Sequence, residues 1–330
     1  MPPSAPPSTF DFVLDHHYTP SHRYTDVVAE VFNTGTSILY VLAAATSIRL
    51  HPALYAAEPQ YFLVQFSILL TGIGSMLFHA TLRYDMQLLD ELPLFAIALS
   101  AAYCFYFREP VQILPASAAS AVAQQPATTA GQSGAWRRGL LTSGCVVWLA
   151  TTLTLFFTPR ESAVHVVTRG AMSICFAVML VYVFSAAAAI SKEIQDALAA
   201  RGPRLVVAKG PTELKAGDIR ALFAAAFLFF VGSVVTWIVD NFFCSLLRGL
   251  PIYPQLHAFG WHLGSAVATW CLSELGALQL LLGRAVRLDA ADSPDVGCRA
   301  RAIGIGWAAG VVPYVTDALA DDIRGIKKAQ

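Results

Sequence analysis

Seven apolar stretches, each close to the length needed to cross a bilayer, constrain the fold of this 330-residue chain more than any other feature. A transmembrane helix needs about 20 mostly apolar residues, and a markedly shorter run is more typical of a buried or interfacial segment. An eighth run, 303–315, is too short to span and contains Pro313, so we interpret it as an interfacial segment of the tail. The seven predicted spans are residues 27–50, 61–78, 88–106, 140–157, 164–190, 219–239 and 258–282.

The composition favours a bilayer over water as the main solvent of the chain. Hydrophobic residues make up 56% of the sequence and charged residues only 13%, and the mean hydropathy is +0.56, which is unusual for a soluble domain. The 22 basic residues balance the 22 acidic ones, so no overall charge indicates nucleic acid as a partner. None of the six cysteines stands in a CxxC spacing, which argues against a thiolate zinc site.

The distribution of Lys and Arg predicts the orientation, because cytoplasmic loops of membrane proteins carry an excess of both. With seven spans, 17 of the 22 basic residues fall on the side of the carboxyl terminus and 5 on the side of the amino terminus. The predicted fold class is therefore all-α. It is an integral membrane bundle of seven transmembrane helices, with the amino terminus lumenal and the carboxyl terminus cytosolic.

The same pattern predicts one membrane domain with short polar extensions. The domain covers residues 27–283, between a lumenal amino-terminal segment, 1–26, and a cytosolic tail, 284–330. Within it, residues 108–137 are rich in Ala, Gln, Ser and Thr without helical periodicity, which predicts a disordered cytosolic loop between the third and fourth spans. We find no repeat of 20 to 50 residues that would indicate a duplicated transporter.

Several ionisable or polar residues lie at the ends of the predicted spans. Ionisable groups at membrane depth are costly and usually functional. When the spans are followed in alternating directions, all of these residues fall at one level, on the lumenal side. They are Glu30, Ser75, His79, Asp90, Asp240, His257 and His262.

Imidazoles, a carboxylate and a hydroxyl at one level are the parts of a hydrolytic metal site. Three neutral imidazoles can hold Zn²⁺ with one position open for water. A carboxylate can then accept the proton of that water, and a hydroxyl can stabilise an oxyanion. Taken singly, each residue also has an ordinary explanation: an interfacial histidine, close helix packing at Gly74 and Ser75, or capping of a helix amino terminus by Asp90.

Residues 72–95, GIGSMLFHATLRYDMQLLDELPLF, closely resemble the signature of the alkaline ceramidases, which belong to a superfamily with the adiponectin-receptor-like proteins. The segment holds Ser75, His79 and Asp90 in the spacing S-x3-H-x10-D that this family uses. Residues 29–34 (AEVFNT), residues 240–244 (DNFFC) and the His-rich start of the last span also match. The resemblance is thin across residues 105–235.

The resemblance implies a zinc-dependent hydrolysis of the amide bond of ceramide, giving a sphingoid base and a fatty acid. It implies that His79, His257 and His262 bind zinc. Asp90 would transfer the proton, and Ser75 would support the oxyanion or the bound water. The expected location is the membrane of the endoplasmic reticulum or Golgi, with ceramide and the bilayer as the partners of the chain.

The chain departs from the family pattern at two places. The family has H-x3-H in its last helix, whereas His257 and His262 are five residues apart, about 140° on a regular α-helix. A π-bulge at Gly260 would align the two rings, and so would a position of His257 just before the helix. At the calcium site of the family, only Asp15 and Glu30 remain as oxygen ligands, too few for Ca²⁺, so we expect weak or absent calcium dependence.

Two other functions are compatible with these residues. A receptor-like protein or pseudoenzyme of the same superfamily would keep the metal site but turn over little, and the spacing of His257 and His262 favours it. A membrane hydrolase acting on glycolipid anchors is less consistent with residues 87–92, which match the alkaline ceramidases.

Overall fold

The computed structural model describes residues 28–108, 128–201, 215–247, 253–292, 303–308 and 312–317. These ranges contain seven helices long and apolar enough to cross a membrane, which confirms the predicted number of spans. The first span consists of two consecutive helices, and the seventh begins as a π-helix. The helices are Val31–Thr36, Ile38–Leu50, Pro52–Ala57, Pro59–Thr81, Tyr84–Tyr106, Thr128–Phe157, Ala163–Arg201, Ala216–Leu247, Tyr253–Leu256, the π-helix His257–Leu263, and Gly264–Asp292.

The seventh span lies at the centre of the bundle and the fourth at its edge. In the most apolar part of the seventh span, 67% of the residues are buried inside the protein, against 6% in the fourth. Apolar side chains of the fifth, sixth and seventh spans form the largest core cluster, which includes Ile190, Leu222 and Leu278. The side chains of the fourth span are thus left mainly to the lipid.

Several helices are longer than the predicted spans. The second begins at Pro59, where a proline costs no intrahelical hydrogen bond, and the third begins at Tyr84. The fifth runs from Ala163 to Arg201, 39 residues. The reason is that a helix can continue through polar residues beyond the hydrocarbon, whereas hydropathy marks only its apolar part.

The fourth helix corrects part of the predicted disordered loop. It begins at Thr128, so the last ten positions of the segment 108–137 are helical, while residues 109–127 lie outside the described residues. The ring of Trp136 contacts those of Phe107 and Tyr106 at the end of the third helix, with centroids 5.4 and 6.5 Å apart. These contacts hold the start of the helix against the bundle, which a composition-based prediction does not consider.

A glycine allows the second and third spans to approach closely beside the predicted catalytic residues. A side chain at Gly74 would overlap the backbone of Leu89 and Asp90. Only hydrogen fits there, so the contact brings the backbone of the second span, next to Ser75, against that of the third. The two helices are joined by a turn at Leu82, whose φ of 56° is the left-handed conformation common at helix ends.

The start of the seventh span resolves the histidine spacing. Residues His257–Leu263 form a π-helix, the first of the two geometries predicted for this segment. π-Helical hydrogen bonds link residues five apart, so residues at that spacing lie on one side. Gly260 packs so tightly against Thr236 of the sixth span that a side chain would overlap it.

The tail contains a β-hairpin where an interfacial segment was predicted, while the membrane-spanning bundle is all-helical, as predicted. Strands Ile303–Ala308 and Val312–Asp317 pair in antiparallel fashion. The amide of Val315 donates to Glu274, at 2.7 Å, and His51 lies 3.3 Å from the same carboxylate oxygen. Glu274 is fully buried in the seventh span and needs donors. The hairpin supplies one of them, a long-range contact that the apolar pattern did not indicate.

Candidate metal centre

Three histidines from two distant parts of the chain form one cluster. One ring nitrogen of each of His79, His257 and His262 lies within 4.8 Å of those of the other two. Ring centroids are 4.9 to 5.6 Å apart. His79 and His262 are buried and His257 is half-buried. The three histidines could therefore hold a metal ion.

Glu30 fixes the ring of His79. The chain before the first span runs alongside the end of the second, where the amide of Glu30 donates to the carbonyl of His79 at 3.0 Å. This places the Glu30 carboxylate 2.6 Å from His79 Nδ1. Asn33, one turn further along, donates to the same carboxylate oxygen at 2.9 Å.

The other two rings are held in the same manner by different elements. Nδ1 of His257 lies 2.8 Å from Oδ2 of Asp240, which ends the apolar part of the sixth span. Nδ1 of His262 lies 3.0 Å from Oγ1 of Thr36 in the first span. The Thr36 hydroxyl donates to the carbonyl of Phe32, at 2.9 Å, so its oxygen is the acceptor for the ring.

These contacts select one tautomer for all three histidines. A carboxylate accepts hydrogen bonds and cannot donate them, and the Thr36 hydroxyl is committed to a carbonyl. Each Nδ1 therefore carries a hydrogen, which leaves Nε2 as the nitrogen with a lone pair for a metal. Such carboxylate or hydroxyl partners are typical of metal-binding histidines, whose orientation and basicity they set.

Asp90 and Ser75 lie next to the cluster. Asp90 is half-buried and is hydrogen-bonded to Ser75. Ser75 is 2% exposed, and its hydroxyl oxygen lies 3.0 Å from that of Ser37 in the first span. The hydroxyl of Ser75 thus connects the first span to the carboxylate of Asp90.

A cavity of about 580 Å³ extends from the histidines between the third, fifth and sixth spans. Its polar end contains His79, His257, Asp90 and Asp240. Its other walls are mainly apolar and aromatic, as is typical of sites for small molecules. These apolar residues are Phe78, Leu94, Phe95, Met172, Phe176, Ala177, Leu180, Phe230, Val234, Trp237 and Trp261.

A second cluster of polar side chains, formed by Arg169, Glu91 and Gln87, lies in the wall of the same cavity. Arg169 of the fifth span donates to both oxygens of Glu91, at 2.6 and 2.8 Å, and Gln87 donates to Glu91 at 2.8 Å. Partly buried ion pairs of this kind fix the relative position of two helices. Here they hold the fifth span against the third.

The structure brings together six of the seven residues predicted for the site: Glu30, Ser75, His79, Asp90, His257 and His262. Asp15 lies outside the described residues. Sequence reasoning assigned no role to Thr36, Arg169 or Gln87, and predicted only that Asp240 shares a membrane level with the histidines. Thr36 carried no signal in the sequence, because its contact with His262 spans 226 positions.

Alkaline ceramidases of two organisms are similar to this chain. An alkaline ceramidase of Saccharomyces cerevisiae is 25% identical over 249 residues, 71% of this chain and 66% of the yeast protein. Alkaline ceramidase 3 of Mus musculus is 29% identical over 107 residues, 30% of this chain and 35% of the mouse protein. The matches thus span less than two thirds of either relative. The sequence profile of the ceramidase family matches residues 20–282, which include all seven spans and the three histidines, and the chain therefore belongs to this family.

Proposed function

We propose that the chain is a zinc-dependent amidohydrolase that cleaves ceramide into a sphingoid base and a fatty acid. One observation carries the proposal: two members of the three-histidine cluster, His79 and His257, line a cavity together with Asp90, and the other walls of this cavity are mainly apolar. Relatives of the chain are named alkaline ceramidases, which supports the same substrate.

The donor set fits zinc. Three neutral imidazoles that each present Nε2 are a common catalytic zinc environment. Zinc, when bound there, lowers the pKa of water at its open position to about 7 and polarises a carbonyl group. His79, His257 and His262 would hold the ion, and Glu30, Asp240 and Thr36 keep their rings in place.

Asp90 and Ser75 have separate roles in the proposed reaction. Asp90 lines the cavity, so its carboxylate can accept the proton of the attacking water and deliver it to the leaving amine. Ser75 is not among the residues that line the cavity. We therefore assign it to the positioning of Asp90 through their hydrogen bond.

The cavity suits a lipid amide. The apolar and aromatic walls provided by the fifth and sixth spans can cover hydrocarbon chains, whose burial is favourable. The amide of ceramide lies just below its headgroup, at the same depth as polar residues near the ends of the spans. A substrate could thus bind while its chains stay in the apolar part of the bundle.

We propose the topology on the distribution of charge. The amino-terminal segment 1–26 and the metal centre would be lumenal, and the tail 284–330 cytosolic, in the endoplasmic reticulum or Golgi. Calcium would have little effect. One Glu30 oxygen already accepts hydrogen bonds from both His79 and Asn33, and Ca²⁺ requires six to eight oxygen ligands.

A receptor-like protein or pseudoenzyme with the same metal site was the alternative. The spacing of His257 and His262 was the feature in its favour. Since the π-helix brings both rings into one cluster with His79, this spacing no longer distinguishes the two functions. Hydrolysis is the proposal that also uses Asp90 and the apolar cavity.

The decisive experiment measures the release of sphingoid base from ceramides by the purified full-length protein, with bound zinc quantified in the same preparation. We expect about one zinc per chain and turnover that stops when a chelator removes the metal. Zinc without turnover of any ceramide would favour the receptor-like alternative. Absence of zinc from well-folded protein would contradict the metal site itself.

The Asp240→Asn variant tests the role of the residues behind the ligands. An amide can still contact His257 Nδ1, but it stabilises the ring less than a carboxylate does. We expect zinc affinity to fall by about 10- to 100-fold, with most turnover restored at saturating zinc. Competition with a chelator of known affinity measures the first effect, and activity across a zinc titration measures the second. Unchanged affinity would show that Asp240 only packs against the histidine.

A further inference from the structure

Gln87 carries an oriented hydrogen-bond acceptor and is one of the residues that line the proposed substrate cavity. It lies in the third span, one turn before Glu91. Its side-chain NH₂ donates to Glu91 at 2.8 Å. Because a carboxylate can only accept, the amide cannot be turned the other way without losing this bond. The carbonyl oxygen of Gln87 is therefore the group left for a ligand.

This oxygen, Oε1 of Gln87, is buried and has no partner within the described residues. The residue as a whole is 8% exposed. Buried acceptors in native proteins are nearly always satisfied, and a group left without a donor calls for an explanation such as a ligand. Arg169 holds Glu91 from the fifth span, so the whole group is fixed before any ligand binds.

Asn33 in the first span shows the same arrangement. Its NH₂ donates to Glu30, and its side-chain oxygen is also buried without a partner. Glu30 contacts a metal-binding histidine, however, so a change at Asn33 would disturb the metal centre. Glu91 contacts Gln87 and Arg169 instead, and Gln87 is the position where an acceptor can be removed separately.

The position of Gln87 relative to Asp90 indicates what it binds. Residues three apart on a helix are neighbours on its surface, so the acceptor lies within one turn of the carboxylate proposed to act on the amide. The polar end of a ceramide carries two hydroxyl groups close to that amide. We propose that Gln87 determines specificity by accepting a hydrogen bond from one of these hydroxyls through Oε1. This inference rests on the proposed function and extends it to the sphingoid part of the substrate.

The test compares the unaltered protein with Gln87→Met, which keeps the volume of the side chain and removes both the acceptor and the donor to Glu91. The substrates are a ceramide and two analogues that lack either the primary or the secondary hydroxyl. We expect Gln87→Met to lower kcat/KM for ceramide by about tenfold, in line with the loss of one buried hydrogen bond, and to leave one of the analogues unaffected. Bound zinc should not change.

Gln60→Met is the matched control. Gln60 also donates to a carboxylate, Glu58, at 2.6 Å, but it lies at the other end of the second span from His79. The preference for ceramide over its analogues should be unchanged in this variant. If Gln87→Met lowers kcat/KM equally for all three substrates, Gln87 is structural and the inference is wrong.

A binding measurement separates this inference from the proposed function. Trp237 and Trp261 line the cavity, so quenching of tryptophan fluorescence reports binding even without turnover. Tighter binding of ceramide than of the analogue without the relevant hydroxyl supports the inference, whether or not the protein hydrolyses ceramide. Equal affinity of the unaltered protein for all three lipids would overturn the inference. This measurement does not depend on the folding of any variant.

Discussion

Replacing His79 by alanine is expected to remove the bound metal and the hydrolytic activity together. The change deletes one of three nitrogen ligands and also leaves the Glu30 carboxylate buried without its ring partner. A site with two histidines binds zinc far more weakly and cannot polarise the substrate. We expect metal content to fall from about one per chain to near zero and turnover to fall by about 10³-fold or more, which corresponds to about 4 kcal/mol of transition-state stabilisation.

The measurement combines metal analysis with ceramide turnover on the same purified protein. His165→Ala is the control, because His165 is also buried but contacts the hydroxyl of Tyr84, at 2.6 Å, rather than the cluster. This variant should keep its zinc per folded chain. Retention of full activity by His79→Ala would rule out the proposed metal centre, since no described histidine outside the cluster lies close enough to replace it.

Replacing Asp90 by asparagine is expected to separate catalysis from metal binding. The asparagine side chain has nearly the same shape and can still contact Ser75, but it cannot accept a proton. General acid–base groups contribute about 10²- to 10⁴-fold, so turnover should fall by that factor while zinc content stays near one per chain. A fall in kcat without a matching rise in KM would show that binding of the lipid is intact.

Asp85→Asn is the matched control on the same helix. The side chain of Asp85 is partly exposed and pairs with the exposed Arg83, a kind of contact that contributes little to stability. Its substitution should leave zinc and turnover unchanged. If Asp90→Asn keeps most of its activity, the proton must be moved by another group, and Asp90 is a structural residue between the second and third spans.

The features that depend only on neighbouring residues could be predicted from the sequence. Hydropathy depends on composition within about 20 residues, so the seven spans and the common membrane level of His79, Asp90 and His262 followed from it. The ends of the helices did not, because a helix can continue beyond the hydrocarbon. The start at Thr128 and the tail hairpin show where contacts with the bundle outweighed local composition.

The geometry of the candidate metal site depends partly on the sequence and partly on the tertiary structure. The sequence supplied three histidines at one level and two local geometries for the spacing of His257 and His262. The π-helix selected one of them, in a segment where Gly260 packs directly against Thr236. Tertiary structure alone decided that Glu30, Asp240 and Thr36 hold the rings.

The physical reason is the range over which each signal acts. Apolar length and helical spacing are properties of neighbouring residues, whereas a hydrogen-bond partner depends on how the helices pack. His79 and Glu30 are 49 positions apart, and His262 and Thr36 are 226 apart. The sequence therefore determined which side chains could form a metal site, and the packing of the first, second, sixth and seventh spans determined which nitrogen of each ring is left for a metal.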